Sequence, residues 1–275
     1  MASTLRHAFS HILILLAFLS IFLVIPSSCF NLGKFLNVSY SQSGSDWSPA
    51  IATWYGPAHG DGSEGGACGY GRAVGQPPFS RMITAGSPTL YKSGKGCGSC
   101  YEVRCTANSA CSGNPVIVVI SDECPGCSDA EFHFDLSGSS FSAMAVSGED
   151  QTLLNAGKIE IQYKRAECNF PGTSIAFHID SGSNQEYFAT LIEYEDGDGD
   201  LGIVELKESH DSGSWYSMQQ SWGAVWKLDH GSPLQAPFSI RLTTLESKKT
   251  VVANNVIPKG WNPGQTYRSI VNFAT

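Results

Sequence analysis

No cysteine follows Cys168, although eight of the nine in this 275-residue chain fall between Cys68 and that residue. A disulfide framework confined to one stretch divides the chain into a stapled part and an unstapled one. Positive charge is also scarce, with 17 Lys and Arg against 25 Asp and Glu and a net charge of −8. A phosphate backbone is bound through cationic side chains, so nucleic acid is excluded as a natural partner. An acidic pectin would be repelled for the same reason, which leaves a neutral glycan as the better suited polymer. After Ile25 no apolar run approaches the roughly 20 residues that cross a bilayer. The G-x-S-x-G elbow, the P-loop and H-E-x-x-H are all missing, so the nucleophile, phosphate and zinc mechanisms that need them have no foothold. What remains is 42% hydrophobic and 15% charged, the composition of a globular protein.

The N-terminus is the one strongly apolar stretch. Arg6 precedes an apolar run of 14 residues, Ile12–Ile25, broken only by Ser20, and Pro26-Ser27-Ser28 makes a small-residue exit. Residues 1–28 therefore read as a secretory signal. Its removal leaves 16 basic residues against 25 acidic ones and a soluble secreted chain with no membrane segment. Residues 29–50 read as an N-terminal extension, in which Asn37-Val38-Ser39 is an N-glycosylation sequon.

Export favours disulfides between Cys68, Cys97, Cys100, Cys105, Cys111, Cys124, Cys127 and Cys168. Cys97/Cys100 and Cys124/Cys127 are C-x-x-C pairs, which raises zinc as a competitor. However, 23 residues separate Cys100 from Cys124, against the usual spacing of about 15–20 in a zinc ribbon. No βαβ pattern surrounds either pair, which argues against a thioredoxin-like role. Eight cysteines allow about 105 pairings, and spacing alone does not choose among them.

Residues 51–170 form the first domain. Short β-rich runs are separated there by Gly, Ser and Pro: 51–55, 101–105, 116–120, 131–135 and 158–163. That rhythm predicts a barrel or sandwich. Val116–Ile120 is apolar throughout and is expected to be buried on both faces. Helix is expected only over Ser139–Met144, with a second turn near Glu149–Leu154. Asn169–Thr173 reads as a linker. Residues 171–275 then carry about seven alternating strands and no helix signal, the pattern of an antiparallel β-sandwich. The whole chain is mainly β.

Two clusters invite chemistry. Glu195-Asp196-Gly197-Asp198-Gly199-Asp200 suggests a calcium loop, but an EF-hand counted from Asp196 would need glycine where Leu201 stands and glutamate where Lys207 stands. A tight turn is the better account, because Asp and Gly tolerate left-handed geometry. Asp122 and Asp135 each end an apolar strand, and a buried Asp135 beside Phe132 and Phe134 could have its pKa raised and act as an acid. The plainer alternative is that Asp135 caps a turn or binds backbone amides.

Thr53-Trp54-Tyr55-Gly56, Gly65-Gly66-Ala67-Cys68-Gly69-Tyr70, Gly96-Cys97-Gly98-Ser99-Cys100-Tyr101 and His133-Phe134-Asp135-Leu136-Ser137 stand in this order. Ser221-Trp222-Gly223-Ala224-Val225-Trp226 and Pro237–Leu242 follow them. The set resembles the plant expansins over nearly all of the chain beyond the signal. The Asn37 sequon and the His133–Gly138 stretch look more like β-expansins, relatives of the grass group-1 pollen allergens, than α-expansins. β-Expansins often have Asp just ahead of Gly-Gly-Ala-Cys, where this chain reads Ser63-Glu64.

The resemblance implies a double-psi β-barrel like that of family-45 endoglucanases, followed by an immunoglobulin-like carbohydrate-binding β-sandwich. It implies the pairs Cys68–Cys97, Cys100–Cys168 and Cys105–Cys111, leaving Cys124 to Cys127. It also implies a protein of the cell wall that grips xylan, cellulose or another neutral glucan and loosens the wall without cutting it; a monomer without metal or cofactor is expected. Asp135 matches the endoglucanases' acid, with Asp122 and His133 supporting. Their base sits on the first strand, where this chain offers no carboxylate, so hydrolysis is not expected. The alternatives are an endoglucanase using Asp135 and Asp122, and a simple carbohydrate-binding module. Aromatic faces stack on pyranose C–H surfaces; the resemblance places Trp54 and Tyr55 near the groove together with Lys92, and points to Tyr187 and Trp222 as a flat platform in the second domain. Trp226 is expected in the core.

Overall fold

A computed structural model describes residues 47–209 and 214–273. The signal segment, Cys29 and the Asn37 sequon lie outside the described residues. The first strand, β1 (Ser48–Tyr55), begins three residues ahead of the expected start at 51. Five more strands complete a closed barrel: β2 (Ile83–Gly86), β3 (Cys100–Cys105), β4 (Val116–Glu123), β5 (His133–Ser137) and β6 (Ile159–Ala166). They close in the order β1-β5-β2-β4-β3-β6. β1 runs parallel to β5 and β2 parallel to β4, while the other neighbours are antiparallel.

Alternation along the strands fixes what faces inward. Ala50 and Ala52 on β1 and Phe134 and Leu136 on β5 enter the core, whereas Thr53, Tyr55, His133 and Asp135 take the opposite row. The expectation for Val116–Ile120 needs correction. Val118, Val119 and Ile120 are buried, but Ile117, near the start of the strand, is 52% exposed, while Val119 further along the same row is covered.

Three short helices pack on the barrel: α1 (Pro88–Tyr91), α2 (Gly138–Ser142) and α3 (Asp150–Ala156). The Ser137 hydroxyl caps α2 by accepting from the Ser140 amide at 3.0 Å. None of the helices among the described residues is long and apolar enough to cross a membrane.

The four disulfides join Cys68–Cys97, Cys100–Cys168, Cys105–Cys111 and Cys124–Cys127, the pairs that the resemblance implies. By loop-closure entropy the Cys100–Cys168 bond constrains the unfolded chain most, since it spans 68 residues.

The second half is a two-sheet sandwich. One sheet holds β10 (Tyr216–Ser217), β9 (Leu201–Glu208), β13 (Phe238–Thr244) and β14 (Thr250–Ile257) in that order. The other holds β11 (Gln219–Trp222), β12 (Val225–Asp229), β8 (Tyr187–Glu193), β7 (Ala176–Ile179) and β15 (Thr266–Arg268). Phe177, Phe188, Ile192, Trp226, Phe238 and Ile240 lie between them.

The linker is not a free tether. Cys168 pairs by backbone with Gly197, Phe170 is buried, and its amide donates to Asp196 Oδ1 at 2.7 Å. The outer face of the second sheet packs on the barrel, where Ala176, Ala189, Leu191, Ala224 and Val225 join the barrel's own apolar cluster. Tyr70, Phe79, Phe170 and Tyr194 stack at this joint with ring centroids 5.1–6.0 Å apart, each pair being worth about 0.5–1.5 kcal/mol beyond its buried area.

Candidate functional site

The parallel pairing of β1 with β5 places Thr53 opposite Asp135. The Thr53 hydroxyl donates to Asp135 Oδ1 at 2.6 Å, and its oxygen lies 2.9 Å from His133 Nε2. His133 is buried, and its Nδ1 lies 2.7 Å from Asp129 Oδ1. Lys158 donates to the other oxygen of Asp129. Burial raises the Asp135 carboxyl above the ordinary aspartate range; the Thr53 hydrogen bond and His133 oppose the rise, and Asp122 adds to it. Tyr55 lies on the same row, and burial with nearby Asp122 pushes its hydroxyl well above the usual tyrosine range.

Asp122 serves the scaffold. Its Oδ1 accepts from the Ala67 amide at 2.7 Å and from the Glu123 amide at 2.8 Å, which pins the Gly65–Tyr70 loop. Trp54 lies on the row opposite Tyr55. It is half-buried against the barrel core, with Nε1 donating to the Leu154 carbonyl at 3.0 Å at the end of α3.

The Gly65–Tyr70 loop carries the site across to the sandwich. Trp222, 51% exposed, rests its ring on Gly69, where an added Cβ would come within 2.7 Å of Cη2. Gly223, with φ of +47°, lets the turn after Trp222 approach Ala67 and Cys68, and the Ala224 amide donates to the Cys68 carbonyl at 3.0 Å. Gly-Gly-Ala-Cys-Gly and Trp-Gly-Ala are thus two halves of one contact.

Trp222 pairs with Val225, and Val225 with Leu191, so Trp222 shares the outer face with Leu191, Ala189 and Tyr187. Leu191 and Tyr187 are four positions apart on β8, about 13 Å along the strand. Lys227 stands between them, opposite Ala189 and Gln219. Lys92 is not free: its Nζ donates to Glu246 of the sandwich at 2.8 Å. Trp226 is buried in the sandwich core. Trp215 lies under Lys207 and Arg241 on the other sheet.

The Glu195–Asp200 loop spends its carboxylates on the joint. Asp196 holds the Phe170 amide, Asp198 Oδ2 accepts from the Ser247 amide at 2.6 Å, and Asp200 pairs with Arg165 at 3.0 Å. A cavity of about 510 Å³ lies elsewhere, at the sandwich end formed by the loops around Asn184, Leu234 and Trp261. It shares no residue with the open face just described. A surface that follows an extended polymer encloses little volume, so cavity size does not identify it.

Sequence reasoning missed Asp129, whose only signal is its spacing of four residues ahead of His133. It also gave no role in the joint to Glu193 and Glu195, because nothing local shows them to be buried.

The expansin C-terminal domain family matches residues 175–258, and a family described as lytic transglycolase matches residues 83–163. Expansin-B2 of Arabidopsis thaliana is 60% identical over 245 residues, covering 89% of this chain and 90% of that protein. Expansin-B11 of Oryza sativa subsp. japonica is 56% identical over 232 residues, covering 83% and 78%. Among solved structures, a point mutant of the Clavibacter michiganensis expansin in complex with cellohexaose aligns with a TM-score of 0.64 at 23% identity, covering 84% of this chain and 99% of that one. The fold is a six-stranded closed barrel packed against a two-sheet sandwich. The chain belongs to the expansin family, on its β-expansin branch.

Proposed function

We propose that this protein loosens plant cell walls without hydrolysis, by gripping a neutral matrix polysaccharide or cellulose chain along the face from Tyr55 and Asp135 to Trp222 and Tyr187. Bound chain is chain withdrawn from stacking and hydrogen bonding with its neighbours, so a wall under load creeps. Trp222 and Tyr187 offer flat rings to pyranose C–H faces, and Lys227 and Gln219 lie on the same face as donors for hydroxyls. Trp54 supports the groove from the opposite row, and Lys92 adds a cation shared with Glu246. Secretion to the wall as a monomer, with glycan on Asn37, completes the reading.

The observation that carries the non-lytic part is the partner of Asp135. An inverting glycosidase sets a second carboxyl about 6.5–9.5 Å from its acid to activate water. Here β1 presents Thr53 to Asp135, and Asp122 already has two backbone amides on one oxygen. The test is creep of clamped, heat-killed walls with reducing sugar assayed in the same bath. Creep without sugar release is expected. Sugar release that tracks creep and vanishes in Asp135→Asn would make the protein an endoglucanase.

A further inference from the structure

The hydrogen bonds beneath the groove form a chain of four side chains, from Asp129 through His133 and Thr53 to Asp135. Each link restricts the next. Lys158 and His133 hold Asp129 ionised by hydrogen bonding, down to about 2. An ionised carboxylate only accepts, so His133 must keep a proton on Nδ1. The Thr53 hydroxyl has a single proton and can donate in one direction only.

Two proton arrangements satisfy every link. In the first, Thr53 donates to Asp135, so Nε2 must donate to Thr53, giving an imidazolium and a carboxylate. In the second, Asp135 donates to Thr53 and Thr53 donates to Nε2, giving a neutral imidazole and a carboxylic acid. Passing between them breaks one N–H bond at Nε2, exchanges the hydroxyl proton and forms one O–H bond on Asp135. The number of protons and the net charge are unchanged, and no heavy atom needs to move.

We propose that His133 and Asp135 share one mobile proton through Thr53, and that Asp129 is the positioning residue that decides where it rests. The wall-loosening reading supplies the consequence: Asp135 meets the polysaccharide either as an acceptor only or as an acid able to donate. Burial of Asp135 and the charge of nearby Asp122 favour its acid form, and Tyr55 stands on the same row of β1. Lys158 faces Asp129 and holds its charge in place. His133 itself is buried, so its proton exchanges with solvent through its neighbours.

The test needs no glycan. Imidazole ¹⁵N and carboxyl ¹³C resonances of the full chain are followed from pH 3 to 9. In the parent protein the His133 and Asp135 signals are expected to move together, with common apparent midpoints, as coupled sites do. Thr53→Val is expected to separate the two titrations, and Thr53→Ser, which keeps the hydroxyl, to restore them. Asp129→Asn keeps an acceptor but removes the charge that favours imidazolium, and should raise the Asp135 midpoint by about one pH unit or more. Independent titration of His133 and Asp135 in the parent protein, unaltered by Thr53→Val, would overturn the proposal. So would an Asp129→Asn protein in which Asp135 titrates as before. Coupled resonances in a protein that produces no creep would leave the proton chain standing and defeat the wall-loosening reading instead.

Discussion

Glu195 should make the union of barrel and sandwich acid-stabilised. Its side chain is buried at the joint, and burial together with the Glu193, Asp200 and Asp196 carboxylates raises its pKa from 4.5 to about 8. Below pH 4.5 both the folded and the unfolded chain hold this proton, and the stabilising contribution is fully present. Between 4.5 and 8 the unfolded chain releases the proton while the folded one retains it, so stability falls by about 1.4 kcal/mol for each pH unit. Over the full window the loss approaches about 5 kcal/mol, an upper figure because water entering the joint would relieve part of it. Glu193, raised to about 7 and partly offset by Arg268, adds to the same trend. Carboxylates with depressed pKa values, such as Asp129, act with the opposite sign but only below about 4, so they do not mask the fall from pH 5 to 8. For a chain of this size each kcal/mol shifts Tm by about 2–4 °C, so thermal unfolding should show a fall of about 10–20 °C across that range. Glu195→Gln carries no titrating proton in nearly the same shape and should remove more than half of the fall. A variant melting with the parent's full pH dependence would refute the assignment.

Arg165→Met should leave Asp200 buried without its cation and cost about 3–5 kcal/mol in denaturant unfolding. The loss should shrink as the pH is lowered from 8, because burial favours the protonated form of Asp200. Lys92→Ala removes a half-exposed pair with Glu246 and should cost less than about 1 kcal/mol in the same assay. Loop closure ranks the disulfides: replacing Cys100 and Cys168 by serine should cost about 4 kcal/mol, and replacing Cys124 and Cys127, three residues apart, about 2 kcal/mol. Trp222→Ala should lower affinity for insoluble polysaccharide at least several-fold in pull-down isotherms, with a small change in Tm because the ring is half in solvent.

The sequence by itself determined the class of each half. Period-two alternation and turn residues marked most strands, and the last cysteine marked where the stapled domain ends. β2 escaped because Ile83-Thr84-Ala85-Gly86 is too short and small to show a pattern, although the barrel cannot close without it. β10 and β11 escaped because polar residues dominate them. The aromatic candidates were legible by type, but strand parity and the chain's return paths decided their surroundings. Those paths gave Tyr55 to the Asp135 row, Trp54 to the opposite one and Trp222 to the seam at Gly69.

Only the tertiary structure showed that the Glu195–Asp200 turn lies at the joint between barrel and sandwich. Charge is visible in a sequence, but its desolvation depends on what packs over it, and the barrel surface that buries Glu195 comes from residues a hundred positions away. The same holds for the proton chain. Asp129 and His133 are near neighbours in sequence, yet Thr53 reaches Asp135 only because β1 and β5 pair in parallel, a register that no local pattern encodes.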